Sequence, residues 1–155
     1  MDKNYEIVRR IMLSINKIDG AYYFLAKKLG VNENALAFLY ALDDGQSHSQ
    51  KEISDECLIP RTTINSIVKM MLSEGYIEFC AEPHKKEKKL ILTGKGQKYA
   101  DSLLADIYAV EEKAIMETLK NYPPEFVSAL EDFSDRLHNE FSKIYQRKKE
   151  HRENE

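Results

Sequence analysis

The chain has 155 residues, of which 43% are hydrophobic and 32% are charged, and its formal net charge is −3. These values predict one globular domain or two small lobes with a genuine core. The sequence contains neither an apolar run of membrane length nor a secretory signal, so we exclude a membrane-spanning or exported protein and expect a cytoplasmic one. Cys57 and Cys80 stand without a Cys-x-x-Cys spacing, as expected in a reducing compartment.

Two helices are predicted in the first part of the chain. The first covers residues 4 to 28, where apolar side chains recur at steps of three and four, namely Ile7, Ile11, Ile15, Ile18, Tyr22 and Leu25. Gly30 is predicted to follow it as a C-terminal cap. Asn32 is predicted to be the N-cap of a second helix from Glu33 to Leu42, which is nearly apolar and should belong to the core.

A tight pair of helices is predicted next. Residues 47 to 57 suit a short helix with a serine cap at position 47 or 49, and the Ser49-x-x-Glu52 spacing is that of a capping box. Only residues 58 to 60 then separate it from another helix. Two helices joined by so short a turn are typical of a helix-turn-helix.

The second helix of this pair, predicted over residues 60 to 76, has two unlike faces. Its apolar residues recur at steps of three and four, namely Ile64, Ile67, Val68, Met71 and Leu72. The other face begins with short polar or cationic side chains, which can reach phosphate oxygens and base edges. Pro60 suits the first turn of the helix, and Gly75 suits its end. The pattern predicts a recognition helix for DNA, although a solvated amphipathic helix would show the same two faces.

A β-hairpin is predicted after the recognition helix. Residues 76 to 80 and 89 to 93 have the pattern of strands, and the loop between them is polar. From Glu82 to Lys98 the chain carries six lysines and two glutamates, a local balance of +4. Because screening confines attraction to about 8–10 Å at physiological salt, this local patch matters more for DNA than the net charge. The helix pair and the hairpin together predict a winged helix-turn-helix.

Two long helices are predicted to complete the chain, over residues 94 to 122 and from Glu125 to about Lys149, with Pro123 and Pro124 between them. The last helix has a near-heptad seam of apolar side chains, namely Phe126, Leu130, Phe133, Leu137, Phe141 and Ile144. Long helices at both ends carry more apolar surface than a monomer of this size can bury, which predicts a partner chain. A monomeric bundle is the alternative. The charged residues 150–155 are predicted to be a frayed tail.

The order and spacing of these motifs resemble the MarR family of bacterial transcriptional regulators (multiple antibiotic resistance regulators) over essentially the full length. The segments that carry the resemblance are Ser49-Gln-Lys-Glu-Ile53, Thr62-Thr-Ile-Asn65, Leu72-x-x-Gly75-Tyr-Ile77 and Leu92-Thr-x-x-Gly96. Two positions depart from the family pattern. His84-Lys-Lys86 stands where the family's wing commonly has Asp-x-Arg, and Ser66 stands where its recognition helix often has a cation. Because lysine is a point charge and arginine a fork, these departures affect phosphate contacts and sequence preference.

The resemblance implies a mainly α fold with a small β-hairpin wing, and a two-fold homodimer in which the terminal helices interlock. Residues 1–30 and 97–149 would form the helical dimerisation lobe, and residues 31–96 the winged helix-turn-helix lobe. Two recognition helices in successive major grooves would bind a palindromic operator with half-sites about 10 bp apart. The resemblance implies a transcriptional regulator that binds double-stranded DNA, and we expect a repressor rather than an activator. No cofactor and no enzymatic activity are expected.

The candidate DNA contacts come from three segments. Asn65 is the best candidate for adenine recognition, because its amide can pair with that base in a bidentate manner. Lysines of the wing are expected in the minor groove or on its phosphates. Helix capping by the threonines and edge-strand charge at the wing are the structural alternatives. The full set is Arg61, Thr62, Thr63, Asn65, Ser66 and Lys69 on the recognition helix, Lys85, Lys86 and Lys88 on the wing, and Ser47 and Ser49 before the helix pair.

Other kinds of site have weaker signals. Effectors of the family resembled bind between the dimer helices and the DNA-binding lobe, so Tyr22, Tyr23 and Phe24 are candidates for an effector pocket, although aromatic residues at helical spacing also suit a core. Cys57 is predicted to be core. The four histidines have no metal-ligand spacing, and enzyme motifs such as Gly-x-Ser-x-Gly are absent. The alternative to a DNA-binding regulator is a winged-helix adaptor that binds another protein.

Overall fold

The computed structural model describes residues 3–80 and 88–153, with side chains described as far as residue 147. The chain divides into two compact units, Met1–Ile107 and Tyr108–Glu155. The described residues are mainly helical and include one three-stranded antiparallel sheet, which confirms the predicted fold class. None of the described helices has the length and apolar character that a membrane span needs. In chain order the elements are α1 (Lys3–Leu29), α2 (Glu33–Leu42), β1 (His48–Ser49), α3 (Gln50–Glu56), α4 (Arg61–Ser73), β2 (Ile77–Cys80), β3 (Lys89–Leu92), α5 (Gly94–Leu119) and α6 (Glu125–Glu153).

The predicted helices are present, with small shifts at their ends. α2 begins at Glu33 and is capped by Asn32, whose side-chain oxygen accepts the backbone N–H of Asn34 at 2.9 Å. α5 ends at Leu119, slightly earlier than the predicted end at residue 122. α6 continues to Glu153, beyond its predicted end near residue 149.

A third strand, β1, corrects the prediction of a helix that starts at residue 47. α3 begins only after its N-cap Ser49, whose backbone is extended (φ −75°, ψ 156°). Because an N-cap residue is extended, His48 and Ser49 can pair as a short strand with Leu90 and Lys89 of β3. The strand order is β1-β3-β2, so β3 is the central strand.

The predicted hairpin is also present. β2 and β3 pair antiparallel, with Ile77 opposite Leu92 and Cys80 opposite Lys89. Residues 81–87, which hold the predicted tip of the wing, lie outside the described residues. The described strands therefore form the base of the wing.

One buried cluster holds α4 in place. The stripe predicted for this helix is inside the fold: Ile64, Ile67, Val68 and Met71 are at most 7% exposed, and Leu72 is half-buried. Burying one such side chain stabilises a fold by about 1.5–3 kcal/mol. This packing turns the polar face of α4 to solvent. The stripe shares its cluster with side chains from four other elements, namely Phe38, Leu39, Leu42, Ile53, Leu90 and Leu104.

A close backbone contact joins the end of α4 to the start of α5. The hydroxyl of Thr93 donates to the carbonyl of Gly75 at 2.7 Å and accepts the N–H of Gly96 at 2.9 Å. Gly75 has a φ of +69°, as expected for a residue that ends a helix. A Cβ on Gly96 would lie 1.7 Å from the carbonyl oxygen of Tyr76. The Leu-Thr-x-x-Gly motif is therefore explained by the first turn of α5, which rests directly on the backbone after α4.

Large apolar side chains remain exposed on the long helices. On α1, Ile7 is 46% and Ile18 54% exposed, although the sequence places both in an apolar stripe. Large apolar side chains that stay exposed along a helical stripe are typical of an interaction site. Within the second unit, α5 and α6 show the same feature at Val110, Ile115, Met116, Leu119, Leu130, Phe141 and Ile144.

The capping box of α3 makes stability depend on pH. The Glu52 carboxylate accepts the backbone N–H of Ser49 at 2.6 Å, and the Glu52 N–H donates to the Ser49 hydroxyl at 3.1 Å. The bond from the Ser49 N–H lowers the pKa of Glu52 below its ordinary value of 4.5. A lowered pKa in the folded state contributes stability that is present above pH 4.5 and is lost as the pH falls through the folded pKa.

Replacing Glu52 by glutamine should remove this contribution. At pH 7 the variant is expected to be less stable than the wild type by about 0.3–1 kcal/mol, because glutamine keeps a capping oxygen but loses the negative charge near the start of the helix. The difference should shrink as the pH falls below 4.5. Urea unfolding across this range measures it, with Glu131→Gln on the exposed surface of α6 as the control. A difference that is independent of pH would show that the charge of Glu52 contributes no stability.

Candidate nucleic-acid interface

The first turns of α4 present the predicted recognition residues to solvent. Five of the six are exposed and Thr63 is half-buried. α4 begins at Arg61, so Pro60 is the N-cap rather than part of the first turn. No side chain caps this helix within the described residues, so the capping role considered for Thr62 or Thr63 is not found. An uncapped N-terminus leaves backbone N–H groups and the positive end of the helix dipole available to a phosphate.

A polar cleft of about 210 Å³ lies beside the recognition residues. It is lined by Gln50 and Lys51 from α3 and by Arg61, Ile64 and Asn65 from α4. Two cationic and two amide side chains thus converge on one concave surface, the combination that suits phosphate oxygens and base edges. Gln50 and Lys51 were not among the contacts predicted from the sequence. Their only signal in the sequence is their position directly after the cap of the first helix of the pair.

The serines differ in what they can contact. Ser49 is 1% exposed and its hydroxyl accepts the N–H of Glu52, so this residue caps α3 and is corrected from a predicted DNA contact to a structural residue. The hydroxyl of Ser66 donates to the carbonyl of Thr62 at 3.1 Å on the exposed side of α4. Ser47 is half-buried just before β1. The contacts proposed for Ser47 and Ser66 stay predictions.

Of the predicted wing lysines, the structure describes Lys88. Its side chain is exposed, and its Nζ lies 5.2 Å from the ring centre of Phe79, within the range of a cation–π contact. Phe79 is itself 43% exposed, so cation and ring share the surface at the base of the wing. Lys85 and Lys86 lie outside the described residues, and their contacts stay predictions.

A side-chain hydrogen bond fixes the loop that leads into β1. The Nε2 of His48 lies 3.0 Å from both carboxylate oxygens of Asp44. This hydrogen bond from His48, together with one from the backbone of Gln46, lowers the pKa of Asp44. The contact between His48 and Asp44 holds the chain just before α3, whose residues Gln50 and Lys51 line the polar cleft.

A second cleft, of about 470 Å³, lies in the first unit. Of the three residues predicted to form an effector pocket, Tyr22 lines this cleft, whereas Tyr23 and Phe24 do not. Tyr23 is 48% and Phe24 68% exposed, and their rings make an edge-to-face pair with centres 5.4 Å apart. Consecutive residues on a helix point in directions about 100° apart, so three in a row cannot face one pocket.

The two cysteines are free and half-buried. Cys57 was predicted to be core, and it packs against the core cluster although it is only partly buried. It also lines the 470 Å³ cleft. Burial, with a smaller effect of Glu56, raises the pKa of the Cys57 thiol. Within residues 3–80 and 88–147, no cluster of three or more His, Cys, Asp or Glu side chains is placed to hold a metal ion.

The fold and the exposed polar face of α4 define a winged helix-turn-helix protein with long terminal helices. Residues 29–86 match the sequence model of the MarR family, in agreement with the resemblance found in the sequence motifs. No curated protein matches the chain.

Solved structures of MarR family proteins have the same fold. NMB1585, a MarR family regulator from Neisseria meningitidis, is 22% identical, with a TM-score of 0.72 over 92% of this chain and 99% of that one. A Listeria monocytogenes protein assigned to the family and solved with a 26mer DNA is 21% identical, with a TM-score of 0.60 over 88% and 89%. Staphylococcus aureus MarR, solved with salicylate and kanamycin, is 16% identical, with a TM-score of 0.60 over 90% and 93%.

Proposed function

We propose that this chain is a MarR family transcriptional regulator that binds a specific double-stranded DNA operator and represses transcription from it. The observation that carries the proposal is the exposed face of α4, where polar and cationic side chains lie opposite a buried apolar stripe. Asn65 is our candidate for base recognition, and Arg61 and Lys69 are candidates for contacts with phosphates or guanine. Such a protein acts at the nucleoid, in the cytoplasm.

The Listeria monocytogenes protein supports this proposal, because it shares the fold and was solved with DNA. By analogy with winged helix-turn-helix docking, α4 enters the major groove. Gln50 and Lys51 then add contacts from α3, and the wing lysines Lys85 and Lys86 bind in or along the minor groove. A protein–protein adaptor would have no use for two cations and two amides around one cleft.

A homodimer is the second part of the proposal. Exposed apolar side chains on α1, α5 and α6 support it, since a partner chain would cover them. We also propose the division predicted from the sequence, with residues 1–30 and 97–149 in a dimerisation lobe and residues 31–96 in the DNA-binding lobe. Two-fold symmetry then requires a palindromic operator with half-sites about 10 bp apart.

Modulation by a small molecule is the third part. The 470 Å³ cleft that Tyr22 lines has the size of an organic ligand site. Staphylococcus aureus MarR, which shares the fold, was solved with salicylate and kanamycin. We propose that a small effector occupies the cleft and changes the affinity of the protein for its operator.

Selection from genomic DNA tests the function directly. The purified protein is mixed with fragmented DNA of its own genome over a range of salt concentrations, and the bound fragments are sequenced. Recovery of one short inverted repeat, bound by two protomers with a steep salt dependence, is expected. If no fragment is enriched at any salt concentration, with or without cell extract of small molecules, the adaptor alternative replaces this proposal.

Lys51 provides a sharper test of the polar cleft. Lys51→Ala is expected to weaken binding to every duplex, because a phosphate contact carries no sequence information. The slope of log K against log salt should become shallower by about 0.9, the value for one phosphate contact. Fluorescence anisotropy on the operator and on random DNA measures both effects. Lys113→Ala, an exposed lysine of α5 in the second unit, is the control, and equal slopes for the two variants would remove Lys51 from the interface.

A further inference from the structure

The 470 Å³ cleft has an unbalanced set of charges. Its apolar lining comes from α2, from the turn after α3 and from Ile107 of α5, and its polar lining includes the rings of Tyr22 and Tyr40. The exposed carboxylates Asp19 and Glu33 also line it. None of the lining residues that the structure describes is basic. The volume falls within the range of about 300–1,000 Å³ that is usual for small-molecule sites.

These charges select the class of ligand. A carboxylate attracts a positive charge and repels a negative one at the same short distance, and solvent weakens both effects without changing their sign. Two carboxylates without a cation therefore attract a positive ligand and repel a negative one. The two tyrosines among the lining residues can add a cation–π attraction for an ammonium group. The apolar lining suits a hydrocarbon body on the same ligand.

One wall of the cleft belongs to the helix-turn-helix itself. Cys57 and Ile59 line it, and between them Leu58 has a left-handed backbone with a φ of +51°. The hydroxyl of Ser54 donates to the carbonyl of Ile59 at 2.7 Å, which ties α3 to this turn. Since α4 begins at Arg61, the lining residue Ile59 is only two residues before the start of the recognition helix.

We propose that the cleft is a regulatory site for an organic cation with an aromatic or aliphatic body, and that its occupancy changes operator affinity through the turn between α3 and α4. The effect on operator affinity (the regulatory half) rests on the proposed function, whereas the binding of the cation in the cleft (the binding half) does not.

A series of probes that differ mainly in charge tests the binding half. Phenethylammonium, phenethyl alcohol and 3-phenylpropionate are titrated into the protein by isothermal calorimetry. The cation is expected to bind at least about tenfold more tightly than the anion, and the double variant Asp19→Asn, Glu33→Gln should lose about tenfold in cation affinity. Glu6→Gln, near the start of α1, is the matched control. Equal affinity for cation and anion, or an unchanged affinity in the double variant, would overturn the proposal.

The two cysteines give an independent measurement of where the cation binds. Cys57 lines the cleft and Cys80 lies on β2, outside it. Phenethylammonium is expected to slow the alkylation of Cys57 by N-ethylmaleimide and to leave Cys80 unchanged, as followed by peptide mass spectrometry. Alkaline pH is used because burial raises the pKa of the Cys57 thiol. Equal protection of both cysteines would place the cation elsewhere.

The regulatory half is measured on the operator recovered from genomic DNA. Saturating phenethylammonium should change operator affinity at least about threefold in the wild type and not in the double variant. Cation binding without any DNA binding would contradict the proposed function and leave the site intact. DNA binding without cation binding would contradict the site and leave the function intact.

Discussion

Gly96→Ala is expected to lower the free energy of unfolding by about 3 kcal/mol, because it forces a backbone displacement in a packed region. The added Cβ would lie 1.7 Å from the carbonyl oxygen of Tyr76, and neither backbone segment can yield as the end of a flexible side chain could. The hydrogen bonds of Thr93 to Gly75 and to Gly96 would be displaced together. Urea unfolding followed by circular dichroism measures the change.

Gly20→Ala is the matched control for this experiment. Gly20 lies within α1, where an added Cβ meets no atom within 4 Å. Alanine is a better helix former than glycine, so this variant should be more stable by about 0.5–1 kcal/mol. If Gly96→Ala behaved like Gly20→Ala, the close approach of α5 to the backbone after α4 would be wrong.

Asn65→Ala is expected to reduce operator affinity by about 1–3 kcal/mol, or roughly 5- to 150-fold, while binding to random DNA stays unchanged. Its side chain is exposed at the polar cleft and contributes no buried packing, so folding stability should not change. Fluorescence anisotropy on both duplexes at one salt concentration separates the two affinities. An equal loss on both duplexes would show that Asn65 contacts the backbone of DNA rather than a base.

Asn139→Ala is the control for this variant. It removes the same amide from an exposed position on α6, far along the chain from the recognition helix. No change in affinity for either duplex is expected. If Asn139→Ala lost as much DNA affinity as Asn65→Ala, the result for Asn65 would reflect a general effect on stability or assembly rather than contact with a base.

The stripe on α4 was predictable because it is periodic. Apolar residues at steps of three and four must face one side of any helix, whatever surrounds it, and Ile64 and Met71 are indeed buried. The cap at Asn32 was predictable for a similar reason, since its hydrogen bonds reach only two or three residues along the chain. Local chemistry determines both features.

Features that depend on distant parts of the chain were not predictable. β1 has two residues, too few for any periodic signal, and it exists because β3 supplies a pairing edge much later in the sequence. Gln50 and Lys51 are candidate contacts because they line one cleft together with residues of α4. The sequence alone does not show that α3 and α4 form this cleft. Serine is a residue type that often contacts phosphate, yet the hydroxyl of Ser49 accepts the backbone N–H of Glu52 inside the fold.

The central position of β3 has a mechanical consequence. One edge of this strand pairs with β2 of the wing, and its other edge pairs with His48 and with Ser49, the N-cap of α3. If the chain binds DNA as proposed, a tilt of the wing toward a narrow groove would be transmitted by backbone pairing to the first turn of α3, where Gln50 and Lys51 lie. Groove width at the wing and fit at the cleft would then be sensed together, although they belong to different parts of the operator.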